Sequence, residues 1–293
     1  MYRDIFRFAI IIFMAGVVTV YAEPWKKSVD LGFTISQNSY SDNWVGGEAG
    51  NIAWVSLANG TFERQFSPKF NFRNTSNLQF GQTHTQDKDT KDWKKPVKST
   101  DKIDIDNLGR LTLQAFVDPF VAFRLQSQFL DASFEPIQRL FNPILLTESA
   151  GIAKTLLNRD KNQVLTRLGF SIRQNLNRVI SDTITEDTKL ETDSDGGLES
   201  VTDATYKLAA NINYTGKLTI FRAIFFSESD KFKGQPEENY WKAVDVNLEN
   251  TISAAITKYI SLNFYTQLLY DKQVSLKGRF KETFGLGLTV KLQ

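Results

Sequence analysis

The stretch that most constrains the fold is the last one, Arg279 to Lys291, reading R-F-K-E-T-F-G-L-G-L-T-V-K. From Phe284 onward every second residue is apolar: Phe284, Leu286, Leu288 and Val290. Between them stand Gly285, Gly287, Thr289 and Lys291, all small or polar. A period of two makes a strand with one greasy face and one wet face. Any antiparallel sheet with a solvated side can use such a strand. Its position narrows the choice, because only Leu292 and Gln293 follow. Transmembrane β-barrels close on a strand of this kind, apolar side chains to lipid and polar ones to the lumen. Gln293 departs from that pattern, standing where such barrels carry an aromatic.

The same alternation recurs upstream and predicts about twelve strands. Their ranges are 29–36, 51–62, 70–80, 103–117, 121–129, 144–157, 164–177, 203–214, 217–226, 244–254, 260–270 and 279–291. The clearest sets Val164, Thr166, Leu168, Phe170 and Ile172 against Arg167, Gly169, Ser171 and Arg173. The sixth is flawed, since Glu148 and Lys154 share a face with Leu146 and Ile152. A register-switching bulge is expected there. Asp118-Pro119 and Thr215-Gly216 read as tight turns. Pro136 and Pro143 argue against a strand over 131–143. The stretches 85–101 and 181–199 read as long loops, the second acidic. Long and short connections alternate, as in up-and-down outer-membrane barrels with short periplasmic turns and long outer loops. An even strand number puts both ends in the periplasm.

Composition agrees with this pattern. Aromatics make up 13% of the 293 residues, including 23 Phe, yet mean hydropathy is −0.29. Many apolar residues diluted by polar neighbours suit an alternating wall better than a soluble core. The chain has no Cys, which excludes a disulfide framework and thiolate metal sites. A net charge of +2 leaves no nucleic-acid footprint. No cofactor motif is present.

The N-terminus predicts a secretory signal peptide over 1–22. Arg3 and Arg7 flank a basic start, Phe8 to Val20 is almost wholly apolar, and Val20-Tyr21-Ala22 suits a signal peptidase. A membrane anchor would need about 20 apolar residues, more than this run supplies. Cleavage near Ala22 leaves a barrel domain over 23–293, outside the cytoplasm. Its expected partners are the barrel-assembly machinery, outer-membrane lipid and lipopolysaccharide.

The first hairpin carries Gln37-Asn38-Ser39-Tyr40-Ser41-Asp42-Asn43-Trp44-Val45-Gly46-Gly47-Glu48, with Trp25 upstream and a weaker echo at Asp101 to Ile105. These residues resemble the uncharacterised bacterial outer-membrane family known as domain of unknown function 3078. The resemblance implies a barrel-like fold and an outer-membrane place, and it implies no reaction. Read physically, Gly46 and Gly47 permit positive φ in a tight bend, and Trp44 suits a membrane interface.

Three constellations bear on chemistry. His84, the only histidine, falls at the outer end of the third strand. A rim hydrolase would pair it with Ser99, Asp87 or Asp101, but a lone loop-edge histidine is ordinarily just solvated. Glu186, Asp187, Glu191, Asp193 and Asp195 offer hard oxygens, but D-x-D-G alone is not an EF-hand. Lys91, Lys94, Lys95 and Lys98 could meet lipopolysaccharide phosphates. The strongest set faces the lumen: Arg73, Arg110, Arg124, Arg167, Arg173, Lys207 and Lys281 against Asp104, Asp106, Asp203, Asp245 and Glu249. These charges either line a narrow wet channel for small polar solutes or pair across strands and shut the barrel. Twelve strands lie between the filled and the porous cases. The inward Gly, Ser, Thr and Asn positions favour the wet channel.

Overall fold

The computed structural model describes residues 23–41, 48–134 and 137–292, with side chains to 290. Residues 1–22, where a signal peptide is expected, Gln293 and most of the N-W-x-G-G-E block lie outside the described residues.

The strands run β1 Lys26–Asn38, β2 Asn51–Ser67, β3 Phe70–Thr85, β4 Val97–Leu111, β5 Asp118–Ser127, β6 Leu130–Asp131, β7 Arg139–Leu140, β8 Ile144–Arg159, β9 Asn162–Ile180, β10 Thr188–Ala209, β11 Ile212–Phe226, β12 Val244–Ala255, β13 Ile260–Tyr270 and β14 Arg279–Leu292. Twelve of them close into one antiparallel barrel, ordered β1-β14-β13-β12-β11-β10-β9-β8-β5-β4-β3-β2. The short β6 and β7 pair only with each other, as a ribbon inside one loop. Two short 3-10 turns, Ser229–Phe232 and Tyr240–Lys242, lie in another loop. The terminal strand does what its alternation requires: β14 pairs β1 with Phe33 opposite Leu288 and seals the ring.

Long connections lead out of β1, β3, β5, β9, β11 and β13, and short ones join the remaining pairs. Along β9, Leu168 and Phe170 are exposed while Leu165, Arg167 and Ser171 are buried, so the predicted facing holds. Directly paired residues share a face in an antiparallel sheet, which carries this assignment round the barrel. The outside is apolar and aromatic. Phe284 is 68% exposed and Leu288 60%. Trp54 lies between Phe33 and Phe80 toward the long-loop end, with ring centroids 6.2 and 5.8 Å away. Trp25, Phe66 and Phe72 cluster at the short-turn end.

Four boundaries differ from expectation. The fourth strand stops at Leu111, and 112–117 forms the turn, so Asp118-Pro119 opens β5. A first-turn proline costs no needed ladder bond. The turn after β10 lies at 210–211, not at Thr215-Gly216. Leu208, Ala210 and Ile212 kept the alternation running through the bend. Gly216 instead sits inside β11 with Tyr214 folded over it; a Cβ there would meet the Tyr214 hydroxyl at 2.4 Å. The acidic loop is shorter, because β10 begins at Thr188. The bulge of β8 falls between Thr155 and Leu157, too late to turn Glu148 or Lys154 inward. Both remain on the outer face, and Lys154 Nζ lies 3.1 Å from the centroid of the Phe116 ring in the turn.

Candidate functional site

Period-two strands carry the polar residues of β3, β4, β5, β9, β10, β11, β12 and β14 into one lumen, where they meet over long sequence distances. Asp104 on β4 is 1% exposed and accepts from both Arg124 Nε and Nη2 on β5, at 2.7 and 2.8 Å. Asp106, two residues on, takes Arg167 Nη2 of β9 at 2.6 Å and Lys217 Nζ of β11 at 3.2 Å. Arg167 also lies 3.6 Å from Asp203. Arg173 holds Asp195 through Nε at 2.8 Å and Asp245 through Nη1 at 3.0 Å, with its guanidinium over the Phe221 ring.

The longest reach is that of Lys102. It pairs with Glu249, and β4 and β12 stand six strands apart in either direction round the ring. That bridge crosses the lumen between opposite walls. Tyr265 donates to the same carboxylate at 3.0 Å, and Lys102 also lies 3.7 Å from Asp104. Below the charges, toward the short-turn end, Leu108, Phe120, Ala153 and Leu165 pack into one buried apolar cluster, with Ala122 against it. All are inward positions by register, so this cluster fills the barrel from one wall.

Burying unpaired charges would cost several kcal/mol each. Asp104, Asp106, Arg124, Arg167 and Arg173 are paired, which is what lets them sit at these depths. The close approach of two strands in this wall also has a local cause. Gly151 and Gly169 face each other on β8 and β9. A Cβ on Gly169 would come 2.3 Å from the Ala150 carbonyl oxygen, so only glycine permits this approach.

Most sequence-predicted lumen residues join the network, and some do not. Arg124, Arg167, Arg173, Asp104, Asp106, Asp203, Asp245 and Glu249 take part. Arg110 stands apart toward the short-turn end, 3.9 Å from Asp118 and donating to Thr155 at 2.9 Å. Arg73 reaches only Gln163 Oε1 across the lumen, at 3.3 Å. Lys207 is exposed at the short-turn end and forms no ion pair among the described residues. Lys281 donates to Thr100 Oγ1 at 2.6 Å. Sequence reading missed Lys102, Lys217 and Tyr265, and it left Asp195 in the acidic loop. The first two sit on inward phases of their strands, a signal that was available.

The other constellations come apart. His84 pairs Ile52 in register on the outer face. Asp101 is occupied by the backbone N–H groups of Phe129 and Leu130, at 2.7 and 2.9 Å. Asp87 is occupied by Asp89 N, Thr90 N and Lys94. In the acidic segment, Asp193 accepts from Asn175 while Asp195 serves Arg173. No cluster of three or more metal-ligating side chains forms among the described residues.

No curated protein matches the chain. Among solved structures it is similar to an outer membrane channel from Pseudomonas putida F1, with 13% identity, 94% of this chain and 96% of that chain covered, and a TM-score of 0.42. It is also similar to the translocator domain of autotransporter NalP from Neisseria meningitidis, with 8% identity, coverages of 92% and 87%, and a TM-score of 0.33. A third is the NanC porin, with 10% identity, coverages of 90% and 100%, and a TM-score of 0.35. At these identities the likeness is one of barrel architecture. Residues 35–132 match the family described as "Protein of unknown function (DUF3078)", the family that the first hairpin resembles.

Proposed function

We propose that this protein is an outer-membrane barrel that holds its lumen shut and works as a non-conducting, surface-binding barrel. The observation that carries this reading is the Lys102–Glu249 bridge between opposite walls, with Arg124–Asp104 and the Asp106 cluster beside it. A solute crossing the barrel would have to break these pairs. The membrane setting is supported by the outward apolar belt and by aromatic clusters toward both ends. In that setting the long loops face outward, and their lysines lie within reach of lipopolysaccharide phosphates.

The test is planar-bilayer conductance of the refolded protein. Wild type should give no steady single-channel steps. The double variant Lys102→Ala, Glu249→Ala should remove the crossing bridge and let steps appear. The double variant Arg167→Ser, Arg173→Ser should lower stability, since it leaves the buried Asp106 with Lys217 alone and strands the partners of Arg173. Steady steps from wild type would overturn this reading in favour of a narrow channel for small polar solutes.

A further inference from the structure

Above the crossing bridge, on the long-loop side, lies a polar cavity of about 160 Å³ between the β3–β4–β5 wall and the β12–β13–β14 wall. We propose that it binds a small hydroxylated monocarboxylate, of the hydroxy-acid or sugar-acid class. The inference rests on the closed lumen, because the Lys102–Glu249 pair is the floor of the cavity.

The charges argue for one negative group. The ammonium of Lys102 is matched by Glu249 and Asp104. Lys281 lines the same cavity, and its Nζ donates to the hydroxyl of Thr100. It forms no ion pair with a carboxylate among the described residues. Asp101, also in the lining, is matched by Lys98 at 3.4 Å and by the N–H groups of Phe129 and Leu130, which leaves Lys281 as the lining cation with no carboxylate partner of its own. A carboxylate answers it singly, whereas a phosphate dianion calls for more donors and more charge.

The remaining lining argues for hydroxyls. Four side-chain amides surround the cavity: Gln79, Gln126, Asn247 and Gln267. Gln267 Nε2 donates to Asn247 Oδ1 at 3.0 Å, and Asn247 Nδ2 donates to Glu249 Oε1 at 3.1 Å. That relay fixes two amides and leaves the Gln267 carbonyl oxygen to accept. Gln79 and Gln126 make no side-chain hydrogen bond among the described residues. An amide both donates and accepts, as a hydroxyl does, so the set suits a polyol better than an apolar ligand. A cavity of this size limits the ligand to a small molecule.

The experiment is isothermal titration of the refolded barrel in detergent with sodium gluconate, glucose and inorganic phosphate. Gluconate should bind more tightly than glucose or phosphate. Lys281→Gln should weaken gluconate by roughly tenfold or more, the loss of one charge-assisted hydrogen bond. Lys281→Arg should restore most of the affinity. Lys277→Gln, in the loop, should leave binding unchanged, and the heat-dependent gel shift should be intact in all three variants. No gluconate binding by wild type, equal binding by Lys281→Gln, or tighter binding of phosphate would each overturn the proposal. Conductance of the same preparation separates the two readings. Silence in the bilayer with no gluconate heat refutes the cavity alone, and steady steps with gluconate heat refute the closed lumen alone.

Discussion

Two walls of this barrel solve the same problem in different ways. On β4, β5, β8, β9 and β10 the inward positions are full. Asp104, Asp106, Leu108, Phe120, Arg124, Ala153, Leu165, Arg167 and Ser171 are all buried there. On β13, β14 and β1 many inward residues are small, among them Ser261, Asn263, Thr283, Gly285, Thr289 and Thr34, half-buried apart from Ser261, while Tyr265, Gln267 and Lys281 stand nearer the long loops. Their contacts are hydroxyl and amide bonds, such as Ser253 Oγ to Asn263 Oδ1 at 2.7 Å. The first wall projects into the lumen and fills it. The second is thin toward the short turns, and near the long loops its Gln267 and Lys281 line the polar cavity. The difference teaches that strand number alone does not set the bore. The volume of the inward side chains on one arc does.

The sharpest way to break the contrast is to remove a charge from the full wall. Arg124→Ala leaves Asp104 buried without its bidentate partner, and the expected loss is about 3–5 kcal/mol. On the thin wall, Asn263→Ala should cost about 1 kcal/mol. Urea unfolding in detergent measures both, and equal losses would mean that the two walls are equivalent. Next comes the facing of the closing strand. Arginine at Phe284 would meet lipid and should cost about 2–4 kcal/mol, whereas Thr283→Arg enters the roomy side of the lumen. Assembly into vesicles, scored by the heat-dependent gel shift, should fail for the first and survive for the second. A smaller effect is expected where β8 and β9 approach closely in the full wall. Gly169→Ala forces a methyl group against the Ala150 carbonyl, which overpacking places at about 1–3 kcal/mol. Gly285→Ala on the thin wall meets mainly the flexible Thr34 side chain and should cost less.

The smallest effect lies outside both walls. In the loop after β3, Asp87 accepts from the N–H groups of Asp89 and Thr90 and from Lys94, and these hold its pKa at about 2. The folded value lies below the unfolded one, so the loop gains stability above the ordinary carboxylate range. That gain is lost as pH falls through about 2. Acid-protease cleavage of this loop should be slow at pH 4 and rise toward pH 2, and Asp87→Asn should remove the dependence.

Much of the fold was legible because facing is local. Phe170 and Ser171, or Phe284 and Gly285, announce opposite sides by adjacency alone. Turn positions were less legible where the period ran through a bend, as at Leu208, Ala210 and Ile212. Asp195 was hidden for a related reason: its neighbours Asp193, Gly196 and Gly197 read as a loop, although β10 carries them all. The pairings were beyond reach. Lys102 and Glu249 lie 147 residues apart, and only barrel closure decides which inward groups face each other.

That bridge also has a meaning for assembly. Lys102 lies in the first half of the chain and its partner in the last fifth, so the pair forms only when the final hairpins arrive. A slip of two residues along β12 keeps every side chain on its proper face, and alternation alone does not forbid it. Such a slip would present Asn247 or Thr251 to Lys102 instead of Glu249 and leave an ammonium stranded inside the barrel. The crossing salt bridge thus acts as a checksum on closure: a sheet that has paired in the wrong register is penalised at the far side of the ring from the error.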